Sequence, residues 1–235
     1  RWGCFDYNQQ EPRLVVHYAG LQNLYGVDSV LDAYKAGNAD FHHIVAEMAQ
    51  IPRLQAKTIN LGLFYGMGKN KLQAELGVSK LQAEDLFRTY HDRVPFVKQL
   101  MDATMKRAQD SGKIRTLLGR LCRFHLWEPN QFGIHKALLH EEALREHGPG
   151  IKRAYTYKAL NKLIQGSAAD MTKKAMLDLY KEGIIPHIQV HDELDISVKN
   201  DKQVKQIVDI MESAVTLEIP NKVDYECGKN WGTIK

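Results

Sequence analysis

The chain has 235 residues, 44% hydrophobic and 26% charged, which excludes an intrinsically disordered protein and allows one large core or two small ones. Its 32 Lys and Arg against 28 Asp and Glu leave a net charge of +4, which permits a polyanionic partner without demanding one. Three widely spaced cysteines (Cys4, Cys122 and Cys227) make neither a disulfide framework nor, by their spacing, a zinc site, and suit a reducing compartment; with no membrane-length apolar run and no targeting leader in view, a cytoplasmic location is expected.

Trp2, Gly3, Cys4 and Phe5 read as a strand through about Tyr7, with Asp6 at its end. A helix or second extended piece follows from about Pro12. Residues 40–90 are strongly helical in pattern. Pro52 opens a run of good helix formers from Arg53 to about Gly66, and Gly66-Met67-Gly68 stops it. Ser79 is placed to cap the next helix, and a third runs from Pro95 to about Gln109. Residues 112–127 read as a basic hairpin, and 130–150 as a polar, His-rich loop or poorly packed helix. Residues 151–182 form one long helical pattern, stopped by Gly183 and Pro186. A strand-like stretch at 187–198, a closing helix over 201–217 and a last strand at 222–231 complete the chain. Helices fill the middle and strands lie near both ends, so the expected fold is α+β, its sheet assembled from residues distant in sequence.

Arg53, Lys57, Leu61 and Tyr65 recur every four residues and form one stripe on a helix. Two cations near a helix N-terminus oppose the helix dipole, so they are poorly placed for stability alone. They are well placed to hold a triphosphate, with Tyr65 against a sugar or base and Gly62 and Gly66 leaving room for a planar group. An amphipathic helix with a solvated basic edge has the same spacing, so spacing alone leaves both open.

The run from Ile188 to Val198 has apolar residues at 188, 190, 194, 196 and 198, and Asp192 interrupts them. A carboxylate in phase with a buried face needs a partner or a metal; alternatively a turn at His191-Asp192 resets the phase and leaves the pair at a strand tip. Two acids 186 positions apart establish nothing by spacing.

Resemblance supplies more. The string from Arg53 through Lys57, Leu61 and Gly62 to Tyr65 and Gly66 resembles the fingers-helix motif of family A DNA polymerases. Asp6-Tyr7-Asn8-Gln9-Gln10-Glu11-Pro12-Arg13 is similar to the first palm motif of that family, and His191-Asp192-Glu193 to the third, all in the family's order. Asn161…Gln165-Gly166-Ser167-Ala168-Ala169-Asp170 resembles its Asn…Gln-Gly-Thr-Ala-Ala-Asp helix, and Gly119-Arg120-Leu121-Cys122-Arg123 its Gly-Arg-Arg segment.

The resemblance implies a palm (residues 1–20 and 146–235) holding an antiparallel sheet with packed helices, and a mainly helical fingers part (21–145). It implies template-directed transfer of dNMP to a primer 3′-hydroxyl with two Mg²⁺ ions on Asp6 and Asp192, and Glu193 as an auxiliary carboxylate beside them. Arg53 and Lys57 would grip the triphosphate, while Leu61, Tyr65 and Glu11 would shape the nucleotide pocket. Glu11 would exclude a ribose 2′-hydroxyl, which argues against a single-subunit RNA polymerase. Asn161, Gln165 and His191 would meet the primer end, their amides reading groove acceptors common to every base pair, and Arg120 and Arg123 phosphate or template. Leu61 stands where the family usually has Phe or Tyr, and Tyr157 where bacterial members usually have Arg, with Lys158 and Arg153 as nearby cations; short spacing from Asp40-Phe41-His42 to Arg53 is more like the phage branch, and His42 is within reach of a phosphate role. Expected partners are primer-template DNA, dNTPs and a separate chain carrying thumb and exonuclease regions, both expected to be absent from this chain. A partner-dependent, non-catalytic DNA-binding subunit is the alternative.

Overall fold

The computed structural model describes residues 1–37, 40–64, 69–131, 133 and 135–234. In chain order, strand β1 (Trp2–Tyr7) precedes helices α1 (Gln10–Leu21), α2 (Asp28–Lys35), α3 (Phe41–Ala49), α4 (Arg53–Phe64), α5 (Lys69–Leu76), α6 (Lys80–Arg93) and α7 (Pro95–Ser111). Short strands β2 (Lys113–Arg115), β3 (Leu121–Arg123), β4 (Leu126–Pro129) and β5 (Leu138–Leu139), helix α8 (His140–His147) and strand β6 (Ile151–Arg153) follow. Helix α9 (Ala159–Lys181), strands β7 (Ile188–Val190) and β8 (Glu193–Ser197), helix α10 (Asp201–Ser213) and strand β9 (Val223–Gly228) complete the order. The fold is α+β, as expected.

The chain divides into two compact units, one formed by Arg1–Ile44 with Ser167–Lys235 and the other by Val45–Gly166. Charge divides with them. The first unit has 12 Lys and Arg against 17 Asp and Glu, net −5; the second has 20 against 11, net +9.

In the first unit a four-stranded antiparallel sheet runs in the order β7-β8-β1-β9. Side chains alternate across a strand, so Phe5 and Tyr7 of β1, Leu194 and Ile196 of β8 and Val223 of β9 fall on one face, and all are buried. Helix α10 buries Val204, Ile207 and Met211 at helical spacing, and the Tyr7 hydroxyl donates to the Met211 carbonyl at 2.7 Å. Helix α1 starts two residues before Pro12, which the first turn tolerates because its N–H groups lack helical partners anyway.

The second unit follows the sequence in its helices and departs from it in its strands. Ser79 caps α6 with a reciprocal pair: its Oγ accepts from the Gln82 N–H, and the Gln82 side-chain oxygen accepts from the Ser79 N–H. Strands β2 and β3 form the expected basic hairpin. Residues 151–182, expected as a single helix, instead begin with strand β6, paired to β4 through Trp127↔Arg153 and Pro129↔Ile151. Tyr155, at φ 61°, then turns the chain into a short 3-10 turn before α9. Arg153 explains the override. Its guanidinium lies 4.5 Å from the Trp127 ring centroid and donates to the Gln109 and Phe124 carbonyls, bonds that a helix at 151–153 would forfeit. Within the segment expected as loop, α8 forms with Glu141 and Glu142 in its first turn and Arg145 and His147 in its last, an order that suits the helix dipole. The closing helix ends at Ser213 rather than 217, and the Gly66-Met67-Gly68 stop lies outside the described residues.

Candidate active site

Strands β7 and β8 join through two residues, His191 and Asp192. His191 sits at φ 57°, the left-handed conformation that so tight a reversal needs, and its ring nitrogen Nδ1 lies 3.2 Å from Asp192 Oδ1. The second of the two sequence alternatives therefore holds: Asp192 is at the hairpin tip, with its side chain about one-quarter exposed. The backbone N–H of Tyr7 reaches the Asp192 carbonyl at 3.4 Å. This bond brings the tip beside the end of β1, where Asp6 lies. Asp6 is paired in register with Glu193 on one side and Asp224 on the other.

Register and alternation place a row of chemistry on the sheet face opposite the apolar one. Trp2, Cys4 and Asp6 of β1, Glu193 and Asp195 of β8, and Asp224 and Glu226 of β9 share it. Asp224 is balanced by the Asn8 amide at 2.6 Å and by Lys222 at 3.6 Å. Asp195 is wholly buried; its Oδ1 accepts from Trp2 Nε1 at 3.1 Å and from the Cys4 thiol at 2.7 Å. Burial, followed by the Asp195 carboxylate, pushes the Cys4 thiol up to about 12. Cys4, Asp195, Asp224 and Glu226 were not among the sequence candidates. The signal that marks them is the i, i+2 repeat in Cys4-x-Asp6, Glu193-x-Asp195 and Asp224-x-Glu226, which sets both members of each pair on one strand face.

Glu11, in the first turn of α1, is buried, as is Arg13, which donates to the Asn8 and Pro220 carbonyls and stacks over Tyr34. These bonds tie the start of α1 to the loops flanking β1 and β9. His42 is buried against the Phe41 ring, and Asp40 accepts from the His42 and His43 N–H groups at the start of α3.

In the second unit, Arg53 and Lys57 are exposed on α4 and Leu61 is half-buried, while Ala56, Ile59, Asn60 and Gly62 are buried. The expected stripe is therefore the solvent side of an amphipathic helix. Tyr65 lies outside the described residues. Asn161 and Gln165 lie one turn apart on α9, half-buried and exposed. Arg123 is exposed on β3; Arg120 donates to the Gly166 carbonyl at 2.6 Å, which ties the hairpin to α9. Tyr157 is exposed, with Lys158 5.6 Å from its ring centroid, whereas Arg153 is engaged inward as described above. The structure thus brings Asp6, Asp192, Glu193 and His191 together in one unit, which also holds Glu11, and carries Arg53, Lys57, Leu61, Asn161, Gln165, Arg120 and Arg123 on the other.

The sequence model of DNA polymerase family A matches residues 2–233. The chain belongs to that family. It is 35% identical to a DNA-directed DNA polymerase of Pseudomonas phage M6 and 32% identical to DNA polymerase I of Geobacillus stearothermophilus, alignments that cover 98% and 96% of this chain. They cover 38% and 25% of those relatives, so the chain spans well under half the length of either. Among solved structures, the POL domain of Pol1 from M. smegmatis, in complex with DNA primer-template and dNTP, superposes with a TM-score of 0.77 at 27% identity, over 99% of this chain and 40% of that one. Among the described residues no helix is long and apolar enough to cross a membrane.

Proposed function

We propose that the chain is the palm and fingers portion of a phage-type DNA polymerase, adding dNMP to a primer 3′-hydroxyl under the direction of a template. The observation that carries the reading is the Tyr7 N–H to Asp192 carbonyl bond, which sets two carboxylates from opposite ends of the chain at one edge of one sheet. The first unit corresponds to the palm and the second to the fingers.

The donors at that edge are carboxylate oxygens, Asp192 partly open to solvent, with Asp6 facing Glu193 in register; this is the hard-oxygen set that suits Mg²⁺. Asp6 and Asp192 would hold two such ions, with Glu193 alongside. When bound, the ions supply charge neutralisation at the attacking and leaving oxygens.

The remaining roles belong to the chain's own side chains. Arg53 and Lys57, one turn apart and exposed, orient the triphosphate by charge-assisted hydrogen bonds. Buried Glu11 excludes a ribose 2′-hydroxyl, and Leu61 and Tyr65 act on the nucleotide base. Asn161, Gln165 and His191 meet the primer end, and Arg120 and Arg123 the template backbone. Substrates are dNTPs and primer-template DNA, and a thumb-bearing segment, in the same protein or a partner, completes the DNA grip.

Asp192→Asn tests the reading. With a thumb-bearing segment supplied, primer extension should fall by about a thousandfold or more, because several kcal/mol of transition-state stabilisation depend on that charge. The circular dichroism spectrum and melting temperature should stay close to the parent's. Near-parental extension by the variant would refute the assignment.

A further inference from the structure

A second group of donors lies two register pairs along the ladder from Asp6 and Glu193, on the same sheet face. Cys4 and Asp195 are directly opposed in the β1–β8 ladder, and one ligand atom each from Cys4, Glu193 and Asp195 lie within 4.8 Å of one another. Asp195 is the unusual member. It is 0% exposed, and both donors it receives go to Oδ1. Its Oδ2 is buried without a hydrogen-bond partner, and among the described residues no cationic side chain lies within ion-pair distance of it. Buried carboxylates are normally paired, hydrogen-bonded on both oxygens or bound to a metal, because an uncompensated buried charge is costly.

We propose that Cys4, Glu193 and Asp195 form a cation site for a divalent ion of zinc type, adjoining the Asp6–Asp192 edge and sharing Glu193 with it. The donor set argues for that class. One sulfur and two carboxylates match a borderline-soft ion in a site of three protein ligands, whereas an ion of magnesium type prefers oxygen donors alone. A cavity of about 230 Å³, lined by Cys4, Asp6, Glu193, Asp224 and Glu226 among others, gives the ion a way in and leaves room for a fourth ligand such as water. As the metal–sulfur bond forms, the Cys4 S–H bond breaks and its proton leaves to solvent, and the ion's positive charge balances the thiolate and the carboxylates around it. The bound ion clamps β1 to β8 beside the catalytic edge and offsets part of the negative charge of that sheet face.

The test uses the chain with Cys122→Ser and Cys227→Ser, so that Cys4 is the sole thiol. Zn²⁺ is titrated by equilibrium dialysis, and Cd²⁺ is followed by the ultraviolet charge-transfer band that a cadmium–thiolate bond produces. A Cd²⁺ band is expected, and it should persist in Asp6→Asn/Asp192→Asn, where the carboxylate edge is neutralised and one equivalent of Zn²⁺ should remain bound. Asp195→Asn, which keeps the side-chain shape, and Cys4→Ser should each weaken Zn²⁺ binding roughly tenfold to a hundredfold, and Cys4→Ser should abolish the band. Should Cys4→Ser not fold, Asp195→Asn decides. Absence of a band in the parent, retention of Zn²⁺ in Asp195→Asn, or loss in Asp6→Asn/Asp192→Asn would each overturn the site.

Discussion

His17 is a buried imidazole, and its Nδ1 accepts the backbone N–H of Glu218 at 3.2 Å, which requires the ring to be neutral. Burial lowers its pKa below the usual 6.5, with the Glu218 carboxylate opposing only in part. The sign follows from proton uptake. Below about pH 6.5 the unfolded chain binds a proton that the folded chain refuses, so this contribution to stability is present above that pH and lost as pH falls. Its slope is at most about 1.4 kcal/mol per pH unit. The urea midpoint of the parent should therefore drop between pH 7.5 and 5.5 by more than that of His17→Gln; equal drops would show that another group carries the dependence. Glu11 is a residue-scale matter of a different kind. Under the proposed function its carboxylate stands where a ribose 2′-hydroxyl would go, so Glu11→Ala should raise rNTP relative to dNTP incorporation about tenfold or more. Single-nucleotide incorporation assays would read the ratio directly, and an unchanged ratio would remove Glu11 from the pocket.

Among the elements, α9 and the β2–β3 hairpin are joined by two close contacts. Arg120 donates to the Gly166 carbonyl, and a Cβ built on Gly166 would lie 2.6 Å from the Thr116 methyl. Thr116 is buried, and its N–H and its hydroxyl both donate to the Arg120 carbonyl, at 3.0 and 3.3 Å, so it has little room to yield. Gly166→Ala should cost about 1–3 kcal/mol despite alanine's better helix propensity, measured by chemical denaturation; a stabilised variant would mean that the hairpin moves freely. The same elements show where sequence pattern suffices. The capped α6 and the basic hairpin were legible because their determinants are local: Ser79 with Gln82, and Gly119 at φ 86° in the turn. Strand β6 was not, because what makes residues 151–153 extended is Trp127 and two carbonyls more than two dozen positions away. The site divides in the same way. Asp6, Glu11, Asp192 and Glu193 became candidates through family resemblance, whereas the i, i+2 repeats that contain Cys4 and Asp195 acquire a meaning only with the β1–β8 register that sets the two opposite each other.

At the scale of the whole chain, the net charge of +4 averages two unlike units, −5 and +9. If the chain binds primer-template DNA as proposed, a basic unit releases counterions on binding, and the logarithm of DNA affinity should fall linearly with the logarithm of salt concentration. Removing one phosphate contact should lower the slope by about 1, and Arg123→Ala is the cleaner choice because Arg120 also holds α9. Fluorescence anisotropy across a salt series would measure it; a parental slope in Arg123→Ala would place that residue off the DNA path.

Strand β8 carries carboxylates at 193 and 195 and core side chains at 194 and 196, with a two-residue reversal just before it. Its meaning therefore depends on parity. Losing or gaining one codon within it would exchange the two faces, drive Leu194 and Ile196 towards the carboxylate side and turn the acids into the core. Point substitutions can drift one position at a time, but a change in length there has no neutral intermediate. Over evolutionary time this stretch should hold its length more strictly than its letters.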